Sequence, residues 1–170
     1  HKNVLHFIKT MHDRYRTTPK DRIICLPEFF FDLSIFPIWT ALYAGAAIYI
    51  PSKKDRLLPA NYINKQKITI WCSVPSSISI LSKFNLIQQN SFPSIRASIF
   101  CGEPLFKLHA RQWALACPNS VNDNFYGPTE VTVFSTVYRF DTSSTDFGNG
   151  DVVSIGKPLP GVDTCIINED

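Results

Sequence analysis

The chain has 170 residues, 45% apolar and 18% charged, with a formal net charge of +3. That supplies apolar material for one packed core, and the charge content is too low for a disordered segment. Lys and Arg are scattered along the sequence, so there is no basic stripe of the kind a nucleic-acid partner requires.

The five cysteines, Cys25, Cys72, Cys101, Cys117 and Cys165, form no CxxC pair. Most have apolar neighbours, which marks them as small buried hydrophobes of a reduced, cytoplasmic protein. His1, His6 and His12 do not share the helical face that His-x3-His ligands need, and no Cys/His cluster has zinc spacing. The sequence begins on His1 and ends on Asn168-Glu169-Asp170 directly after an apolar run, as expected of a piece of a longer polypeptide.

Taken in chain order, Val4 to Tyr15 carries Leu5, Ile8, Met11 and Tyr15 at helical spacing, and Arg22 to Leu26 is a short strand closed by Pro27. Leu33 to Ser52 then holds no charge for 20 residues, long enough to span a bilayer. Pro37, Gly45 and Pro51 argue against a span. Ile35, Ile38, Trp39 and Leu42 recur at helical spacing, and Ala46 to Ile50 reads as a buried strand after a glycine stop.

Further on, a helix is expected over 57–65 and a strand over 68–74. Ser76-Ser77 would cap a helix carrying Ile78, Leu81 and Ile87. Ser94 to Phe100 reads as a strand, Leu105 to Ala116 as a helix and Val121 to Phe125 as a strand. Thr132 to Phe140 alternates like an exposed strand, 141–151 is a polar excursion, and Val162 to Ile167 forms a last strand. The fold class is therefore α/β: a mostly parallel sheet flanked by helices over 1–140, with 141–170 a loop and the start of a β-rich part.

In such sheets ligands gather beyond the carboxyl ends of the strands. Three unusual stretches fall there: Phe31-Asp32, Cys101-Gly102-Glu103, and Tyr126 to Glu130 within NDNFYGPTEVTVF. Asp32 lies in a very apolar stretch, so it either caps the helix beginning near Ser34 or pairs with a cation. Glu103 either approaches a ligand or stabilises its turn or the next helix's N-terminus.

The motifs then carry a resemblance. NFYGPTE (Asn124 to Glu130) resembles the motif of adenylate-forming enzymes, in particular amino-acid adenylation domains of nonribosomal peptide synthetases and D-alanine–carrier-protein ligases. FFFDLSIFPIWTALYAGAAIYI resembles the family's substrate-pocket segment, SIFCGEPL its next strand and turn, and VSIGKPLPGV the segment after the motif. HKNV resembles the end of the phosphate loop and the helix that follows it.

The resemblance implies an ATP-dependent ligase that forms an aminoacyl-adenylate and passes the aminoacyl group to a carrier protein's phosphopantetheine thiol. It implies that Tyr126 lies against adenine and Asn124 bonds the exocyclic amine. Gly102, Glu103, Phe125 and Gly127 complete the nucleotide site. Thr129 and Glu130 take the catalytic roles, the first on the α-phosphate and the second on Mg2+. Asp32 would pair with the substrate ammonium, and Phe31 would lie beside its carboxylate. Leu33, Phe36, Ser73, Ile99, Cys101, Phe125, Val133 and Phe134 would line the pocket, which suits a small apolar amino acid. A phosphate loop before His1 and a catalytic lysine after Asp170 are also implied, so the chain alone would be inactive. Competing expectations are an acyl- or aryl-acid CoA ligase, which would gain nothing from Asp32, and a non-catalytic remnant of the fold.

Overall fold

The computed structural model describes residues 1–141 and 150–167. Helix α1 (Lys2–Tyr15) buries Phe7, Ile8, Met11 and Tyr15 along one face and stops at Arg16, left-handed at φ 47°. After β1 (Arg22–Ile24), a 3-10 turn (Asp32–Ser34) leads into α2 (Ile35–Ala44). Gly45, at φ 68°, ends that helix, and β2 (Ala47–Tyr49) follows. The uncharged run is thus a helix, a glycine stop and a strand, and no helix among the described residues is long and apolar enough to cross a membrane.

The helix expected over 57–65 is in fact two. Ser52 caps α3 (Lys53–Leu57) by accepting from Asp55 N–H, and Pro59 stands at the N-terminus of α4 (Ala60–Gln66), where its missing donor costs nothing. Next come β3 (Ile70–Ser73) and α5 (Ser76–Lys83). Ser76 is the first helical residue rather than the cap, and Ile87 lies past the helix end. The chain continues through β4 (Ala97–Phe100), α6 (Lys107–Ala116), β5 (Val121–Tyr126), a 3-10 turn (Thr129–Val131), β6 (Thr136–Phe140) and β7 (Lys157–Pro158).

The strand expected from Thr132 begins only at Thr136. Thr132 and Val133 stand at φ 70° and 69°, a left-handed conformation that no strand accommodates and that β-branched residues rarely adopt. Residues 162–167 are irregular rather than a strand, with Ile166 and Ile167 exposed. Most of the polar excursion over 141–151 lies outside the described residues.

Among the described residues seven strands form one sheet in the order β2-β1-β3-β4-β5-β6-β7. Pairing is parallel from β2 through β5 and antiparallel for β6 and β7. Successive strand residues face opposite layers. Ile23, Ile70, Cys72, Ile99 and Phe125 pack with Met11 and Phe36 from α1 and α2. Ile24, Trp71 and Phe100 pack with Ile63, Leu81 and Trp113 from α4, α5 and α6. The two tryptophans in this second layer are satisfied locally: Trp71 Nε1 donates to Ser73 Oγ and Trp113 Nε1 to Ser98 Oγ, each at 2.8 Å.

Candidate active site

Because β1, β3, β4 and β5 run parallel, their carboxyl ends emerge at one edge of the sheet. A cavity of about 500 Å3 opens there, lined by Asp32 and Leu33 beyond β1, Ser73 and Val74 at β3, Cys101 beyond β4, and Val133 beyond β5. A second cavity of about 380 Å3 is lined by Asn124, Phe125, Tyr126, Val152, Val153 and Ile155. Cys101, Gly102, Glu103 and Gly127 line both, so the two chambers share a wall. Residues far apart in sequence are gathered into one cleft.

Backbone geometry makes that wall. Gly102 sits at φ +94°, a conformation open to glycine and strained for any L side chain. At Gly127 the constraint is contact: a Cβ would lie 2.6 Å from Val133 O and 2.7 Å from Phe134 Cα. Gly-Pro therefore lets β5 fold back tightly on the segment that leads into β6.

In the smaller chamber Asn124 is 3% exposed. Its Nδ2 donates to Ser154 O at 2.9 Å and Val153 O at 3.4 Å. Those two carbonyls fix which end of the amide is nitrogen. Oδ1 is buried with no partner among the described residues. A buried acceptor without a donor is costly unless a ligand supplies one. Tyr126, half-exposed, stands at the same chamber. An exocyclic amine on a flat heterocycle fits this pair. Phe125 also belongs to this wall, as do Val152, Val153 and Ile155, which were not assigned to the site from sequence; their clustered apolar side chains were the available signal.

In the larger chamber Asp32 is not a helix cap. The side chains at the N-termini of its own 3-10 turn and of α2 make no capping bonds. Its Oδ2 instead accepts from the hydroxyl of Thr129 at 2.6 Å. Phe31, Leu33, Ser73, Cys101 and Val133 line this chamber as well. Phe36, Ile99, Phe125 and Phe134 do not; they lie behind it in the core, with the Phe125 and Phe134 rings stacked at 4.2 Å. The apolar set thus divides into a lining and a buttress. Sequence reasoning missed Glu28 and Arg56, an ion pair on the wall, so Asp32 is not the only charge there.

The Cys101 thiol is pushed up to about 11, first by burial and then by the charge of Asp32, against backbone hydrogen bonds from Gly102 and Gly127. It is therefore a protonated lining atom at neutral pH, not a nucleophile. Glu103 is already engaged: its carboxylate accepts from Ser76 N–H at 2.8 Å and Ser76 Oγ at 3.1 Å, capping α5 rather than the helix that follows it.

Glu130 is exposed on the turn after β5, and no group of three or more His, Cys, Asp or Glu able to hold a metal occurs among the described residues. A lone carboxylate matches magnesium, which takes one or two protein oxygens and fills its shell from phosphates and water.

The fold is a sheet covered by helices on both faces, with two adjoining chambers beyond the carboxyl ends of its parallel strands. The chain belongs to the AMP-binding enzyme family, whose model matches residues 1–170. It is 32% identical, over 99% of its length, to an L-proline–[L-prolyl-carrier protein] ligase of Streptomyces coelicolor. It is 28% identical, over 100% of its length, to the D-alanine–D-alanyl carrier protein ligase of Lactococcus lactis. The chain spans 32% and 34% of those two relatives. Among solved structures, the Vibrio cholerae adenylation domain AlmE, in complex with glycyl-adenosine-5'-phosphate, superposes with a TM-score of 0.85 at 32% identity, covering 92% of this chain and 29% of that one.

Proposed function

We propose that this chain is part of an ATP-dependent ligase that activates a small amino acid as its adenylate and hands the aminoacyl group to a carrier protein's phosphopantetheine thiol. The observation that carries the reading is the shared wall, Cys101 to Glu103 with Gly127, between a chamber holding an unpartnered Asn124 amide oxygen and one holding the Asp32 carboxylate. Base and amino acid would then lie on either side of it, with the reacting carboxylate and α-phosphorus meeting at its edge. The relatives that act on prolyl and D-alanyl carrier proteins, and the neighbour holding glycyl-adenylate, support the same reaction class.

In this reading Tyr126 stacks on the base, Asn124 Oδ1 accepts from its amine, and Asp32 pairs with the substrate ammonium. The substrate carboxylate attacks the α-phosphorus and pyrophosphate leaves; the carrier thiol then attacks the acyl carbon and AMP leaves. Glu130 would hold Mg2+, which would supply charge neutralisation at the phosphates. The chain's own work is positioning and charge complementarity. The chain covers 32% and 34% of the two carrier-protein ligases it resembles, so the activity is proposed for the whole protein and not for this span by itself. A substrate without an ammonium, as in an acyl-CoA ligase, would leave Asp32 unpaired beside it.

The stacked rings behind Leu33 and Val133 support a small, apolar side chain, because that side of the chamber is backed by aromatic carbon. Four buried free thiols, Cys25, Cys72, Cys101 and Cys117, support a reducing cytoplasmic setting. Pyrophosphate exchange with a panel of amino acids on the full-length protein is the test. Exchange with small apolar amino acids is expected, and a preference for a charged side chain would overturn the substrate assignment.

A further inference from the structure

Two further charges line the larger chamber, Glu28 and Arg56. Glu28 stands on the connection between β1 and α2, where its carbonyl accepts from Phe31 N–H at 3.0 Å. Arg56 belongs to α3, which follows the neighbouring strand β2. Their side chains form an ion pair, Arg56 Nη1 to Glu28 Oε1. Arg56 Nε is buried with no acceptor among the described residues, so the guanidinium is not saturated by Glu28. The Cys25 thiol, just past β1, feels both charges with opposite sign. Burial raises its pKa first, Arg56 lowers it and Glu28 raises it, so the two fields partly cancel nearby.

We propose that Glu28 and Arg56 are specificity-determining residues of the larger chamber: each cancels the other and so closes the site to charged side chains. The inference rests on the reading of this chamber as the amino-acid site. A side-chain ammonium brought to that wall finds its carboxylate taken and a guanidinium beside it. A side-chain carboxylate meets the converse. Either ion loses water without gaining a partner, which is costly. Without the Arg56 charge, Asp32 and Glu28 would be two unpaired carboxylates on one chamber, a match for an amino acid with a second ammonium. Without the Glu28 charge, Asp32 and Arg56 would suit an amino acid with a side-chain carboxylate, which a guanidinium can grip with two donors. Removing one charge thus admits substrates that carry that same sign.

The test is pyrophosphate exchange by the full-length protein with alanine, lysine and glutamate. The readout is kcat/KM for each charged amino acid relative to alanine, so a uniform loss cancels. Arg56→Gln is expected to raise the lysine ratio about tenfold, the scale of one hydrogen bond between charged groups, without raising the glutamate ratio. Glu28→Gln should raise the glutamate ratio by a similar factor and not the lysine ratio. The double variant, which keeps polar side chains at both positions, should raise neither. Gains for both charged amino acids in a single variant, or any gain in the double variant, would mean a loosened wall and overturn the proposal. Unchanged ratios in both single variants would also overturn it, while parent exchange with small apolar amino acids would leave the proposed function standing. If the parent exchanges with no amino acid, the reading of the chamber fails and the inference fails with it.

Discussion

Arg14 grips Asp123 through two hydrogen bonds, Nε to Oδ2 at 2.8 Å and Nη2 to Oδ1 at 2.9 Å, and so fastens α1 to the centre of β5 one residue before Asn124. Arg139 makes a second fork from β6, and Tyr15 Oη donates to Oδ2 at 2.8 Å. The carboxylate is wholly buried and carries all five bonds. The cluster anchors the strand that presents Asn124 and Tyr126.

Burial alone would raise the Asp123 pKa, but hydrogen bonds and charge from Arg139 and Arg14 outweigh it and leave the carboxyl below its ordinary range. A lowered folded-state pKa gives stability that is fully present above about pH 4, where the unfolded carboxyl is ionised, and is lost as pH falls through the folded value. Asp123→Asn should therefore flatten the acid limb of the stability curve. At neutral pH it should cost about 1–3 kcal/mol, since an amide replaces the buried carboxylate that accepts five hydrogen bonds while Arg14 and Arg139 keep part of their contact with water. Urea unfolding between pH 3 and 7 measures both effects. An unchanged acid limb would remove Asp123 as its source.

Asn124 should set nucleotide choice. Adenine offers an amine donor where guanine offers the O6 acceptor, and Oδ1 can only accept. GTP should support exchange at least about tenfold less well than ATP. Asn124→Leu should bring the two nucleotides closer together and also cost about 1–3 kcal/mol of stability, because the carbonyls of Val153 and Ser154 lose their donor. Equal use of GTP by the parent protein would contradict the placement of the base.

Much of this architecture is legible in the sequence, because alternating apolar runs and glycine stops act locally. Gly45 ends α2 where its position says it should, and the short segments beginning near Arg22, Ile70, Ala97 and Val121 each run into a Pro or Gly, at Pro27, Pro75, Gly102 and Gly127. What is not legible depends on partners distant in the chain. Nothing near Glu103 announces that its carboxylate caps α5 at Ser76, and nothing near Asp123 announces Arg14 or Arg139. The left-handed Thr132-Val133 pair runs against local propensity, and its cost is tolerated where the chain turns beside Gly127. Within the cleft, the motif residues could be located from sequence. The split of the apolar set into lining and buttress could not, because that depends on side-chain packing between α2, β5 and the turn after it.

Cys101 should resist alkylation although it lines both chambers. Its thiol, pushed up to about 11, is almost wholly protonated at pH 8, and the thiolate is the reactive form. Iodoacetamide at that pH should modify exposed Cys165 and leave Cys101 intact, as read by mass spectrometry of the digested protein. Rapid labelling of Cys101 would mean that the thiol is not held in its protonated form by burial and by the neighbouring Asp32.

The stacked rings of Phe125 and Phe134 should limit substrate size from behind the lining. Their centroids are 4.2 Å apart, and Phe7 and Phe36 close on Phe134 at 5.4 and 6.2 Å, so the floor is filled by aromatic carbon. Replacing a ring with alanine would cost about 3–5 kcal/mol, enough to confuse unfolding with altered specificity. Phe125→Leu is the better probe, since it removes volume while keeping an apolar plug. The floor should deepen, and the ratio of kcat/KM for leucine over alanine should rise by roughly tenfold, the scale set by one or two methylenes in an apolar pocket. The rise comes from accommodating the larger side chain, so alanine itself should lose little. An unchanged ratio in a folded variant would place the substrate side chain away from this floor.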